Sequence, residues 1–113
     1  MRKSDKKLDN ELRGSLTRLC ENELERIAGF QWVTHTVHYP NVSASLRIIC
    51  VFDNNESLAL FVSSKEQSVI ESRILKVLAD LNVKLKSVPK QLVFDSEENC
   101  ARFNDGNWAE RLS

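Results

Sequence analysis

LRIICVFD, residues 46–53, places five apolar side chains in succession at positions 48–52. Successive strand residues point to opposite faces of a sheet, so this stretch predicts a central strand that is covered on both faces. The preceding run at 30–39, FQWVTHTVHY, is aromatic, β-branched and rich in Thr, which predicts a second strand. Pro40 and Asn41 then make a turn, and the short connection favours an antiparallel hairpin.

Two amphipathic helices flank this hairpin. Apolar residues recur every three or four positions at 5–28 and again at 64–82, which is the period of a helix with one buried face. A third strand is predicted at 91–95, and a strand–helix–strand connection is expected to cross over right-handedly and leave its two strands parallel. The sequence therefore predicts a single α+β domain over 1–113, in the order helix, strand, strand, helix, strand. Its small mixed sheet is packed by the two amphipathic helices.

Composition and cysteine usage exclude several classes of protein. The chain of 113 residues has 16 Lys and Arg against 16 Asp and Glu, so no long-range field attracts it to nucleic acid or membranes. No apolar stretch approaches the ~20 residues of a membrane span, and the charged N-terminus lacks the apolar run of a secretory signal. Cys20, Cys50 and Cys100 are too far apart for a metal-binding pair, and their odd number opposes a disulfide framework. We expect a cytoplasmic protein with three reduced thiols and no membrane contact.

One tripeptide occurs twice, each time at the end of a predicted strand. Val-Phe-Asp ends at Asp53 and again at Asp95, and polar or acidic residues follow both. If the two strands are parallel neighbours, these candidate carboxylates meet at the carboxyl edge of the sheet, where Mg²⁺ and a phosphate substrate would bind. The alternative is structural, because Asp, Asn and Ser immediately before a helix are preferred N-caps. An E-x-K pair, which a metal-dependent nuclease would need, is missing.

Other candidate chemistry has a simpler structural interpretation. His35 and His38 have the spacing of metal ligands on a helix, but on a strand positions three apart point to opposite faces. Cys50 is a possible nucleophile, yet its neighbours are apolar and a buried core thiol is the simpler interpretation. The sequence therefore predicts no catalytic residue, no metal ligand and no cofactor.

Charge is distributed unevenly along the neutral chain. Two basic groups would form a nucleic-acid patch if the fold joins them, with Trp32 or Tyr39 as a stacking surface. The tail from Asp95 onward is acidic, so the basic and acidic ends would alternatively pair within a homodimer. A third alternative is that both are solvated faces. The candidate nucleic-acid patch consists of Arg2, Lys3, Lys6, Lys7, Lys84, Lys86 and Lys90.

Several strings together resemble a small bacterial protein family whose members are often classified as Fis-family transcriptional regulators. The strings are MRKSDKKLDN, GFQWVTHTVHY, SLRIICVFD, EENC and GNWAERL, and they cover nearly the whole chain. The resemblance implies a DNA-binding protein with a C-terminal helix-turn-helix. The tail here is acidic rather than basic, and 30–53 has the pattern of a hairpin, whereas Fis is all-helical. No DNA-contacting residue is therefore transferred to this chain.

These observations favour a non-enzymatic cytoplasmic module for interaction or regulation, with a protein partner or a second copy as ligand. Such a module needs an exposed apolar patch, which we expect around Trp32 or Trp108. Phe103 and Trp108 are the expected anchors of the tail. The alternatives are a nucleic-acid-binding, transcription-associated protein that uses the basic patch, and a Mg²⁺-dependent phosphate-processing enzyme that uses Asp53 and Asp95.

Overall fold

A computed structural model describes residues 3–113, and these form an α+β fold around one three-stranded sheet. The strands are β1 (Phe30–Thr36), β2 (Arg47–Phe52) and β3 (Leu92–Ser96). Their order is β1-β2-β3, with β1 antiparallel and β3 parallel to β2. The predicted fold class, the hairpin, the central strand and the parallel crossover are confirmed.

Seven helices accompany the sheet in the described part of the chain. The first long helix ends at Asn22, earlier than the predicted 28, because a 3-10 turn at Leu24–Arg26 and Gly29 with φ of 84° lead directly into β1. Residue 28 of the predicted helix therefore lies in a turn. The helices are α1 (Lys3–Asn22), α2 (Val42–Ser45), α3 (Asn55–Val62), α4 (Lys65–Asp80), α5 (Val88–Gln91), α6 (Glu97–Asn104) and α7 (Trp108–Arg111).

The main core lies between one face of the sheet and the two long helices. Ile48, Cys50 and Phe52 alternate along β2 and are at most 1% exposed. The leucines and isoleucines of the predicted helical stripes cover them, which confirms that α1 and α4 pack on the sheet. The residues of α1 and α4 buried in this core are Leu12, Leu16, Leu19, Ile70, Ile74 and Leu78.

The opposite face of the sheet is covered by the C-terminal tail. Ile49 and Val51 point to this face and are fully buried. Trp108 of α7 lies against Trp32 of β1, with ring centroids 4.8 Å apart in an edge-to-face arrangement. The backbone oxygen of Leu112 accepts a hydrogen bond from the guanidinium of Arg47. The tail is therefore the second layer that the all-apolar pattern of β2 requires.

No helix among residues 3–113 is long and apolar enough to cross a membrane. The longest, α1, has 20 residues, but only three of them are buried and most of the others are polar or charged. Its apolar residues form one stripe that faces the sheet. This helix is built to cover a sheet, since its remaining surface faces water.

Candidate interaction groove between α1 and β1

A groove of about 670 Å³ runs between α1 and the edge strand β1. One wall is the side of α1 that carries Asp9, Arg13 and Thr17, and the other is the outer part of β1 with the residues that follow it. Apolar side chains form part of the surface, so a ligand here would contact both polar and apolar groups. The apolar lining residues are Leu16, Val33 and Val37.

A cluster around Asp9 ties the two walls of this groove together. The Tyr39 hydroxyl donates a hydrogen bond to Oδ1 of Asp9 at 2.6 Å, and Nε2 of His35 lies 3.0 Å from the same oxygen. Nε of Arg13, one helical turn further along α1, lies 2.9 Å from Oδ2. Both carboxylate oxygens are therefore engaged, and the cluster fixes the position of α1 against the end of β1.

The pKa shifts of Asp9 and Tyr39 oppose proton transfer between these two groups at neutral pH. Hydrogen bonds from Tyr39 and then His35 hold the pKa of Asp9 below its ordinary value. Burial and the hydrogen bond to Asp9 raise the pKa of Tyr39 well above its ordinary value. Asp9 thus stays a carboxylate and Tyr39 stays a hydroxyl donor, because neither pKa lies near 7. The arrangement favours a clasp over an acid–base pair.

We expect Asp9→Asn to destabilise the protein by about 1–2 kcal/mol at pH 7, because the charged partner of two hydrogen bonds and one ion pair is lost. A carboxyl with a lowered folded-state pKa stabilises the protein above its unfolded pKa of about 4, and this contribution disappears as the pH falls through the folded value. The difference in the free energy of unfolding between wild type and variant should therefore shrink below about pH 5. Urea unfolding at pH 7, 5 and 3.5 measures it.

Glu11→Gln on the same helix is the matched control, because Glu11 is exposed. We expect this variant to unfold within about 0.5 kcal/mol of wild type at each pH. A stability difference for Asp9→Asn that stays constant from pH 7 to 3.5 would contradict the assigned clasp.

The outer edge of β1 is the second feature of the groove. Within residues 3–113, β1 pairs only with β2, so the backbone groups on its other edge meet no strand. Natural edge strands usually carry Lys, Pro or inward-pointing charges that prevent another strand from adding. The sequence of β1, FQWVTHT, has no Lys, Arg, Asp, Glu or Pro, and its one irregularity is a bulge between Phe30 and Trp32. The regular part, 32–36, is open to strand addition.

The predicted carboxylate pair lies at the carboxyl edge of β2 and β3, but the two side chains have different surroundings. Asp95 is 8% exposed, and both its oxygens are bound by the guanidinium of Arg111 at 2.7 and 3.1 Å. Asp53 is exposed and accepts a hydrogen bond from the backbone N–H of Asn54. No group of three or more His, Cys, Asp and Glu in the described chain is arranged to hold a metal ion. The geometry favours structural roles for both aspartates.

The side-chain caps of the following helices are the next residues, Asn54 and Ser96. Asn54 accepts from the N–H of Ser57 at the start of α3, and Ser96 accepts from the N–H of Asn99 at the start of α6. The capping role that we considered for Asp53 and Asp95 is thus performed in each case by the next residue along the chain. Each aspartate instead accepts the N–H of the cap residue that follows it, at 2.8 and 2.9 Å.

The described lysines of the predicted basic patch lie on two segments that both contact the connection between β1 and β2. Lys86 donates its backbone N–H to Ser43, just before β2, while α1 contacts Tyr39 in the same connection through Asp9. All six side chains are exposed: Lys3, Lys6, Lys7, Lys84, Lys86 and Lys90. That these side chains form one patch stays a prediction. Arg2 lies outside the described residues.

The remaining candidates are separated in the fold. His35 is on β1 with its ring against Asp9, whereas His38 follows the strand and is exposed. Burial raises the pKa of Cys50 to about 12, which leaves it a thiol and not a nucleophile. Phe103, an expected anchor of the tail, is 67% exposed, so Trp108 alone of the two performs that role.

No protein-family model matches this chain, and no curated protein or solved structure is significantly similar to it. The resemblance to proteins classified as Fis-family regulators therefore stays a prediction. Within the described chain, the three-stranded sheet is the feature that an all-helical protein would lack. The function is best argued from the groove and from the edge of β1.

Proposed function

We propose that this protein is a non-enzymatic interaction module that binds an extended segment of a protein partner along the outer edge of β1. Strand addition to an open sheet edge supplies affinity through main-chain hydrogen bonds, and pockets beside the edge select alternate side chains. The uncharged outer edge of β1 carries this proposal, because nothing on it opposes a further strand. The proposal places the protein in the cytoplasm, which is supported by its three unpaired cysteines.

The groove beside the edge supports the proposal, because it provides a surface that can select among the side chains of the added strand. Leu16, Val33 and Val37 offer an apolar surface that alternate side chains of an added strand would contact. The Asp9 clasp holds α1 in place, so the groove is formed before the partner arrives. A preformed site binds more tightly because little ordering entropy is lost on binding.

The experiment is a selection of random dodecapeptides, displayed on phage, against the immobilised protein. We expect the enriched peptides to lack Pro and to alternate apolar and polar residues, which is the pattern of an extended strand. Binding of a synthesised enriched peptide should weaken about tenfold or more in Thr34→Lys, because a charged side chain at the middle of the edge opposes strand addition.

Thr34→Ser is the matched control, since it keeps the hydroxyl and adds no charge. The proposal fails if the selection enriches no peptide. It also fails if enriched peptides bind wild type and Thr34→Lys with equal affinity while both proteins show the same circular dichroism.

A second candidate function is nucleic-acid binding, favoured by six exposed lysines on two segments that contact the connection between β1 and β2. The triple variant with Lys84, Lys86 and Lys90 changed to Glu should then bind a short DNA or RNA duplex more weakly. Its slope of log K against log [salt] should be smaller by about 2–3, because each lysine neutralises about one phosphate. Fluorescence anisotropy at several salt concentrations measures this.

Lys65→Glu serves as the control, because Lys65 is also exposed but lies at the start of α4, outside that group. Equal affinity and equal salt slope for the triple variant and wild type would exclude this surface as the nucleic-acid interface. A loss of affinity in Lys65→Glu of the same size would show a non-specific charge effect.

A further inference from the structure

We infer that the strand which adds to β1 is β1 of a second copy of this chain. The inference rests on the proposed function and names its partner. Two copies of β1 pair antiparallel around a two-fold axis perpendicular to the sheet, and the two three-stranded sheets become one sheet of six strands. The regular part of β1, 32–36, is centred on Thr34, so the axis passes close to that residue.

The composition of β1 is compatible with pairing to itself. Like charges directly opposite each other destabilise an antiparallel pair, and β1 has no Lys, Arg, Asp or Glu. With Thr34 on the axis, Trp32 of one copy lies opposite Thr36 of the other, and aromatic and β-branched residues form favourable cross-strand pairs. The formal net charge of zero also means that two copies do not repel each other at long range.

The charges of α1 provide an independent argument for a second copy. Helices are usually stabilised by acids at their N-terminus and bases at their C-terminus, which complement the helix dipole. In α1 the balance of charge is reversed, with Lys3, Lys6 and Lys7 against the one acid Asp5 at positions 3–7 and no basic residue in the last turn. Glu21 near its end and Glu25 in the following turn are exposed, and the one cation among residues 21–26 is Arg26.

An antiparallel neighbouring helix would complement this reversed balance of charge. Asp9, near the start of α1, contacts His35 near the end of β1, and the end of α1 leads through a short turn into the start of β1, so α1 runs antiparallel to β1. The two-fold axis keeps both copies of α1 on the same face of the joined sheet and makes them antiparallel. The lysines of one copy then lie towards Glu21 and Glu25 of the other, and the same complementarity repeats on the other side.

The test is sedimentation equilibrium of the full chain over a range of concentrations, with charged variants at the two-fold axis. We expect wild type to dimerise reversibly, and Thr34→Lys and Thr34→Glu each to raise the dimer dissociation constant by about tenfold or more, because two like charges meet at the axis. An equimolar mixture of the two variants should regain dimerisation, since opposite charges then face each other. Thr34→Ser should dimerise like wild type.

Each outcome decides between the alternatives. Wild type that is monomeric at every concentration overturns the second-copy inference, and it leaves strand addition intact if enriched peptides still bind and Thr34→Lys still weakens them. A dimer that both charged variants form as well as wild type shows that another surface mediates self-association. Matching circular dichroism and melting temperatures of the variants show that loss of the dimer is not loss of folding.

Discussion

Arg111→Ala is expected to lower the free energy of unfolding by about 2–4 kcal/mol, because it leaves a largely buried carboxylate without its cation. Arg111 binds both oxygens of Asp95 and also donates to Asn104 at 3.0 Å. Burial alone would raise the pKa of Asp95, but hydrogen bonds from Arg111, the Ser96 N–H and Asn99 outweigh burial and keep the pKa below its ordinary value. The charge is therefore present at neutral pH and needs its partner.

Urea unfolding at pH 7 measures this loss, and Arg102→Ala provides the comparison. Arg102 also pairs with an acid four residues away on α6, but its side chain is 63% exposed and the distance to Glu98 is 3.4 Å. We expect this exposed pair to contribute less than about 0.5 kcal/mol. Equal stability losses for the two variants would contradict the assigned role of the Asp95–Arg111 pair.

Trp108→Ala is expected to destabilise the protein by about 2–3 kcal/mol, since it uncovers the second face of the sheet. The indole packs edge-to-face on Trp32, and Nε1–H groups of both rings donate to the carboxylate of Glu97. Loss of Trp108 removes the ring contact and one of the two donors. It also exposes apolar surface around Ile49 and Val51, which are fully buried in the wild type.

Phe103→Ala is the matched aromatic control for this prediction, because Phe103 is 67% exposed. The guanidinium carbon of Arg111 lies over the Phe103 ring, 5.9 Å from its centroid, in a cation–π arrangement. Such an exposed contact is worth less than about 1 kcal/mol. Thermal and urea unfolding should show that Trp108→Ala is clearly less stable than Phe103→Ala. The opposite order of stability would contradict the covering role of α7.

The fold was predictable where a local pattern determines structure. Five successive apolar residues at 48–52 require cover on both faces, and β2 indeed lies between the long helices and the tail. The strand–helix–strand pattern correctly predicted that β3 is parallel to β2. The end of α1 was predicted less well, because apolar residues at Leu24 and Ile27 continue the helical spacing although the backbone there forms a 3-10 turn.

The groove was not predictable, because its residues meet only through tertiary packing. Asp9 is separated from His35 by 26 positions and from Tyr39 by 30, and the spacing that drew attention to His35 pairs it with His38 rather than with Asp9. The one available signal is that Asp9 borders the apolar stripe of α1 beside Leu8 and Leu12. The role of Glu97 was unpredictable for the same reason, because the Trp32 indole that donates a hydrogen bond to it lies 65 positions away in the sequence.

The open edge of β1 is likewise a property of strand order. The predicted hairpin allows either of its strands to be the edge, and β3 adds to β2, which leaves β1 with one free side. The absence of charge in FQWVTHT was visible in the sequence, but it acquires meaning only once that side is known to be open. Function here depends on an edge that local patterns do not specify.

Amide hydrogen exchange along β1, resolved by residue, tests the outer edge of this strand most directly. In dilute protein we expect an alternating pattern over 32–36, because every second N–H points to β2 and the others point outward. On raising the protein concentration or adding an enriched peptide, the outward amides should become protected as well. An alternating pattern that persists under both conditions, or outward amides already protected in the dilute monomer, would contradict strand addition at β1.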